Sequence, residues 1–136
     1  MKIVAKIIIE IMGSPKEHVD ETVTKVLDEL GKRENLNILD KHIAEAKNVE
    51  DERLNKFFTS FVEIDIEVES IEDLIGVCFD FMPSSVEIIE PTEFRLRSTQ
   101  IDDILNDLLD KLHKFSMAVR NMHAENVLLK KQMGKK

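Results

Sequence analysis

Residues 61–70 read FVEIDIEVES, so Val62, Ile64, Ile66 and Val68 alternate without a break with Glu63, Asp65, Glu67 and Glu69. A period of two is that of an extended strand, whose successive side chains leave on opposite faces. One face of this strand is therefore apolar and the other carries four carboxylates. The sheet that holds it needs a core on one side and water, or opposite charge, on the other.

The neighbouring segments supply such a sheet. Residues 2–12 place Ile3, Ala5, Ile7, Ile9 and Ile11 on one parity and Lys2, Lys6 and Glu10 on the other, which predicts a half-buried first strand ended by Gly13. Ser14, Pro15 and Glu17 then fit the N-cap, first helical position and third position of a capped helix. Its apolar stripe is Val19, Val23, Val26, Leu27 and Leu30, with Gly31 as the expected left-handed terminator. Residues 36–46 have the length of a strand but mixed parity, Leu36 and Ile38 being out of phase with Leu39 and Ile43, which predicts an edge strand with a bulge. Residues 47–56 are charged and aperiodic and read as a connecting loop onto which Leu54 packs. After the alternating strand, Ser70 and Asp73 repeat the capping pattern. Ile71, Leu74, Ile75, Cys78, Phe79 and Met82 form the stripe of a second helix, which Pro83 stops. A short strand over residues 86–89 follows.

The order β-α-β-β-α-β over residues 1–97 is that of a ferredoxin-like α+β plait, with both helices on one sheet face. Its interlocking halves place the first and third strands side by side. Lys2 and Lys6 are then expected opposite the acidic row, where cross-strand charge pairing helps modestly.

Residues 98–136 form a second region. Ser98 or Thr99 is the expected cap of a helix running to about Met133, with no Gly or Pro inside. Ile101, Ile104, Leu108, Leu112, Phe115, Val119, Met122, Leu129 and Met133 share one stripe, and Asn126 is its polar member. Leu105, Leu109, Ala118, Val127 and Leu128 widen it. Such a helix spans roughly 52 Å, whereas a plait of about 95 residues has a radius of gyration of about 12 Å, so the helix is expected to overhang its domain. Lys130, Lys131, Lys135 and Lys136 complement the dipole at its end.

Composition excludes several functions. With 27 acidic against 19 basic residues and a net charge of −8, the chain repels phosphate backbones. RNA-recognition plaits carry stacking aromatics and basic residues where this one carries Glu and Asp. No apolar run approaches the roughly 18–20 residues of a membrane span, and the N-terminal apolar segment is interrupted by Lys6 and Glu10. The lone Cys78 leaves no disulfide or thiolate zinc site, which points to a reducing, cytoplasmic setting. His18, His42, His113 and His123 have no metal-ligand spacing and read as surface residues, and no nucleophile or phosphate-loop motif is present. Cys78, on an apolar stripe, reads as an inert thiol. The acidic row reads as a solvated sheet face in preference to an acidic docking surface or a metal site. No catalytic residue, metal or cofactor is assigned.

The segment Ser85-Val86-Glu87-Ile88-Ile89-Glu90-Pro91-Thr92-Glu93-Phe94-Arg95, with the helical pattern before it, resembles the last strand and exit of the ferredoxin-like C-terminal extension of WYL-type transcriptional regulators. That resemblance implies ligand sensing or oligomer contacts; the DNA-binding and WYL domains that precede the extension in that family are absent from these residues. The element order is also similar to that of ACT-type amino-acid sensors, which contact ligand through a Gly-containing loop after the first strand. This second likeness implies a ligand site at Gly13 and Ser14, between plaits of a dimer.

An apolar helix of this length needs a partner surface. The expected function is thus a non-enzymatic oligomerisation or adaptor protein. It forms a homodimer or docks a protein partner through Leu108, Leu112, Phe115, Val119, Met122 and Leu129. The alternative is a regulatory domain that senses a small molecule.

Overall fold

Two long strands carry the sheet. In a computed structural model that describes residues 2–49, 53 and 56–134, β1 (Ile3–Gly13) and β4 (Phe58–Val68) pair antiparallel from Ile3 opposite Val68 to Gly13 opposite Phe58 without a register break. Strands β2 (Leu36–Ile43) and β5 (Ser85–Glu90) flank them, and β3 (Lys47–Asn48) pairs with the start of β4. The order is β2-β4-β1-β5, the α+β arrangement expected of a plait, with the first and third long strands central. Helices α1 (Lys16–Gly31) and α2 (Ile71–Phe81) pack on the apolar face. The chain divides into two compact units, Met1–Phe94 and Arg95–Lys136. The second holds α3 (Ser98–Met133).

Alternation decides what is buried. Ile3, Ala5, Ile7, Val62, Ile64, Ile66 and Val68 are fully enclosed, facing Val19, Val23, Leu27 and Leu30 of α1 and Leu74 and Val77 of α2. Each enclosed aliphatic side chain contributes about 1.5–3 kcal/mol. Ser60 is the polar residue on this face; its hydroxyl donates to the Ala44 carbonyl at 2.7 Å, and the Ala44 amide donates to the Phe61 carbonyl at 2.9 Å. The chain leaving β2 is thereby held along β4 until β3 begins, so part of the expected 47–56 loop is strand. Leu54 lies outside the described residues, as do Lys135 and Lys136.

The local sequence signals are obeyed in part. The bulge in β2 is present: the register shifts between Ile38 and Asp40, and Leu39 is the extra residue. Ser70 caps α2 as expected, its hydroxyl oxygen accepting from the Asp73 amide at 3.1 Å. The Ser14 cap is not formed. Pro15 is extended at ψ −177° and so stands outside α1 as its N-cap residue, leaving Ser14 one position too far from the free amides. Nor does Gly31 reverse the chain. Lys32 continues right-handed, and the left-handed residue is Asn35 at φ 60°, a type that tolerates this region. The stripe of α2 is also shifted: Val77 is buried and Phe81 packs on the core, whereas Met82, left-handed at φ 47°, points out at 74 % exposure.

A clamp ties the ends of α1 and α2 together. The Arg33 guanidinium pairs with Asp80 at 2.8 Å and lies 5.7 Å from the centre of the Phe81 ring, within cation–π range. Gly76 makes room for it, since a Cβ there would sit 3.0 Å from Arg33 Nη2.

Candidate functional site

α3 is an uninterrupted helix of 36 residues, about 54 Å long. Its N-cap is Arg97, not Ser98 or Thr99: the Arg97 amide donates to Gln100 Oε1 at 3.0 Å, and the Arg97 carbonyl accepts from the Gln100 and Ile101 amides. Asp107 with Lys111 and Asp110 with Lys114 form ion pairs four residues apart along the helix. Lys130 and Lys131 occupy the last turn, where cations oppose the dipole.

No residue of α3 is buried. Of the six residues singled out for partner contact, Leu112, Phe115, Val119, Met122 and Leu129 are exposed at 46–63 %, and Leu108 is half-buried. Helical geometry refines their grouping. Ile101, Leu105, Leu108, Leu112, Phe115, Val119, Met122, Asn126, Leu129 and Met133 are spaced alternately four and three residues apart over the whole helix. That is a heptad seam of average period 3.5, in which Leu105 replaces the expected Ile104. Covering the exposed half of nine apolar side chains on each of two such seams yields roughly 13–27 kcal/mol gross. Association costs about 4–15 kcal/mol, so the surplus from covering such a seam grows with the length covered.

The second candidate is the charged sheet face. Lys6 stands opposite Asp65 on β4 and Glu87 on β5, and its ammonium lies 3.3 Å from Glu63 Oε1. The hydrogen bond and charge of Glu63 raise the Lys6 pKa most, Asp65 and then Glu87 adding to it. Lys2 pairs with Glu67 at 3.5 Å. The expected meeting of these lysines with the acidic row is therefore present. Sequence reasoning missed the contribution of β2. The bulge at Leu39 turns Asp40 and His42 onto this face, opposite Asp65 and Glu63. Lys6, Asp40, Lys41, His42, Glu63 and Asp65 line a shallow depression, in which Asp65 Oδ1 is buried without a hydrogen-bond partner. Among the described residues, no group of three or more His, Cys, Asp or Glu is placed to hold a metal ion. Lys2 and Lys6 offset part of the negative charge across strands, while Asp40 opposite Asp65 places two carboxylates side by side.

The remaining residues carry less. Gly13 is the last residue of β1 and Ser14 follows it in the turn to α1; neither lines the depression around Lys6 or a second one around Lys2, Arg33, Asn35 and Glu69. Cys78 is half-buried, and burial pushes its thiol pKa up, away from the nucleophilic thiolate. His18 is on α1, and His113 and His123 are on α3. Among the described residues no helix is long and apolar enough to cross a membrane.

The uncharacterized protein MJ0538 of Methanocaldococcus jannaschii is 26 % identical over 108 residues, which cover 78 % of this chain and 39 % of that protein. The chain thus spans about two-fifths of the length of the curated relative it matches. No solved structure matches. The likenesses to WYL-type and ACT-type modules remain those of element order alone. A family model matches residues 4–134, from the second residue of β1 to the residue that follows α3, and the chain belongs to the MJ0538 family.

Proposed function

We propose that this protein is a non-enzymatic assembly protein of a reducing, cytoplasmic compartment, and that α3 is its association device. The observation that carries the reading is a seam of nine apolar residues on a 36-residue helix with no buried position. The core of the sheet unit, by contrast, draws every member from Met1–Phe94. An apolar stripe of this length in water is stabilised by covering it.

Light scattering on a sizing column tests the reading. The full chain is expected at a multiple of its 15.7 kDa mass, and Phe115→Asp with Met122→Asp is expected to return it to a single chain with its sheet circular dichroism retained. A mass that the double substitution leaves unchanged overturns the reading.

A further inference from the structure

The occupant of the seam can be named, on the assembly reading above. We infer that α3 pairs with the α3 of a second copy, parallel and in register, so that Asn126 faces its own counterpart.

The seam repeats four-three over more than four heptads, the pattern of a two-stranded coiled coil. With Leu105, Leu112, Val119, Asn126 and Met133 at one seam position, the other takes Ile101, Leu108, Phe115, Met122 and Leu129. Flanking residues five apart then meet across a parallel pair. Glu125 meets Lys130, a charge match made twice by symmetry, and Ile104 meets Leu109, which covers two more apolar side chains. An antiparallel pair has acceptable flanks as well, with Asp102 near Lys130 and Lys111 near Glu125. Surface pairs therefore do not choose the orientation.

Asn126 does. In the full-length antiparallel overlap it faces Leu108 of the other helix, and a carboxamide taken out of water with no partner loses more than exposed ion pairs return. In the parallel pair the two carboxamides face each other, and each both donates and accepts. One amide at such a position selects register and strand number at some cost in affinity.

Cysteine cross-linking reads the orientation directly. Full chains carrying Cys78→Ala receive Leu112→Cys, Met122→Cys or, on the outer surface of α3, Arg120→Cys as control. In a parallel pair residue 122 lies beside residue 122, and Met122→Cys should form an intermolecular disulfide at least about tenfold faster than the control. In an antiparallel pair the same two residues are about 15 Å apart, too far for a disulfide, and residue 112 lies beside residue 122. Preferential linking in a mixture of Leu112→Cys and Met122→Cys chains overturns the parallel inference while leaving the assembly reading intact. Linking no faster than the control in any combination overturns pairing with a second copy. Asn126→Leu supplies an independent reading: the parallel pair predicts that the mixed 112–122 link, absent with Asn126, now appears. No change in the link pattern overturns the role given to Asn126.

Discussion

The sheet unit and α3 obey the same rule with opposite results. Both are written with an apolar residue at a strict period, two in β1 and β4 and 3.5 in α3. In the first, seven such residues are fully enclosed; in the second, none is buried. Charges differ in the same way. On the sheet they pair between strands, Lys2 with Glu67 and Lys6 with Glu63, whereas on α3 they pair along the helix, Asp107 with Lys111 and Asp110 with Lys114. The sheet unit thus encloses the apolar parity of β1 and β4 with its own helices while Val86, Ile88 and Ile89 of β5 stay exposed, and α3 presents a surface whose charges leave the seam clear. A regular apolar pattern shows that a face will be covered. It does not show by what.

Substitutions can break or sharpen this contrast. The largest effect is expected at Ile66, fully enclosed in β4: Ile66→Ala should cost about 2–5 kcal/mol of unfolding free energy in urea. Leu112→Ala on the seam should instead leave that transition in place and weaken assembly, seen as a fall in mass on dilution. Equal losses of sheet stability from both would erase the distinction. A smaller effect separates the two helix caps. Ser70→Ala removes an acceptor for the Asp73 amide and should cost about 1 kcal/mol, while Ser98→Ala, one residue inside α3, should cost little. The smallest concerns Lys6, whose pKa is raised above the ordinary 10.5 by Glu63. A raised pKa contributes stability below the unfolded value that is lost as pH rises through the folded one. The melting temperature of the sheet unit should therefore decline above about pH 10.5, and Glu63→Gln should flatten that decline and lower the Lys6 pKa followed by NMR. An NMR titration unmoved by Glu63→Gln would remove Glu63 as the cause.

Much of the fold was legible because its signals are periodic. Alternation located β1 and β4, mixed parity located the bulge in β2, and serine before an acidic residue located the start of α2. What escaped depends on geometry beyond a few residues. The first cap failed because the backbone of Pro15 is extended, which the Ser-Pro-Lys-Glu pattern does not show. His42 reached the acidic row through the parity change at Leu39, and Arg33 found Asp80, Phe81 and the space above Gly76 across 43 or more residues of chain. On α3 the apolar stripe was legible, but choosing Leu105 over Ile104 required the helix to run unbroken from Ser98 to Met133.

The amino-acid sequence by itself determined where the long strands and helices lie and which face of β1, β4 and α1 is apolar, because both follow from a repeat set by backbone geometry within one segment. It also determined the charge balance. Only the tertiary structure decided the neighbours: that β1 and β4 lie together with lysines opposite carboxylates, that Asp40 and His42 join them, that Arg33 bridges two helices, and that the seam of α3 has no buried member. Those are relations between segments distant in sequence, and no local period encodes the distance between them.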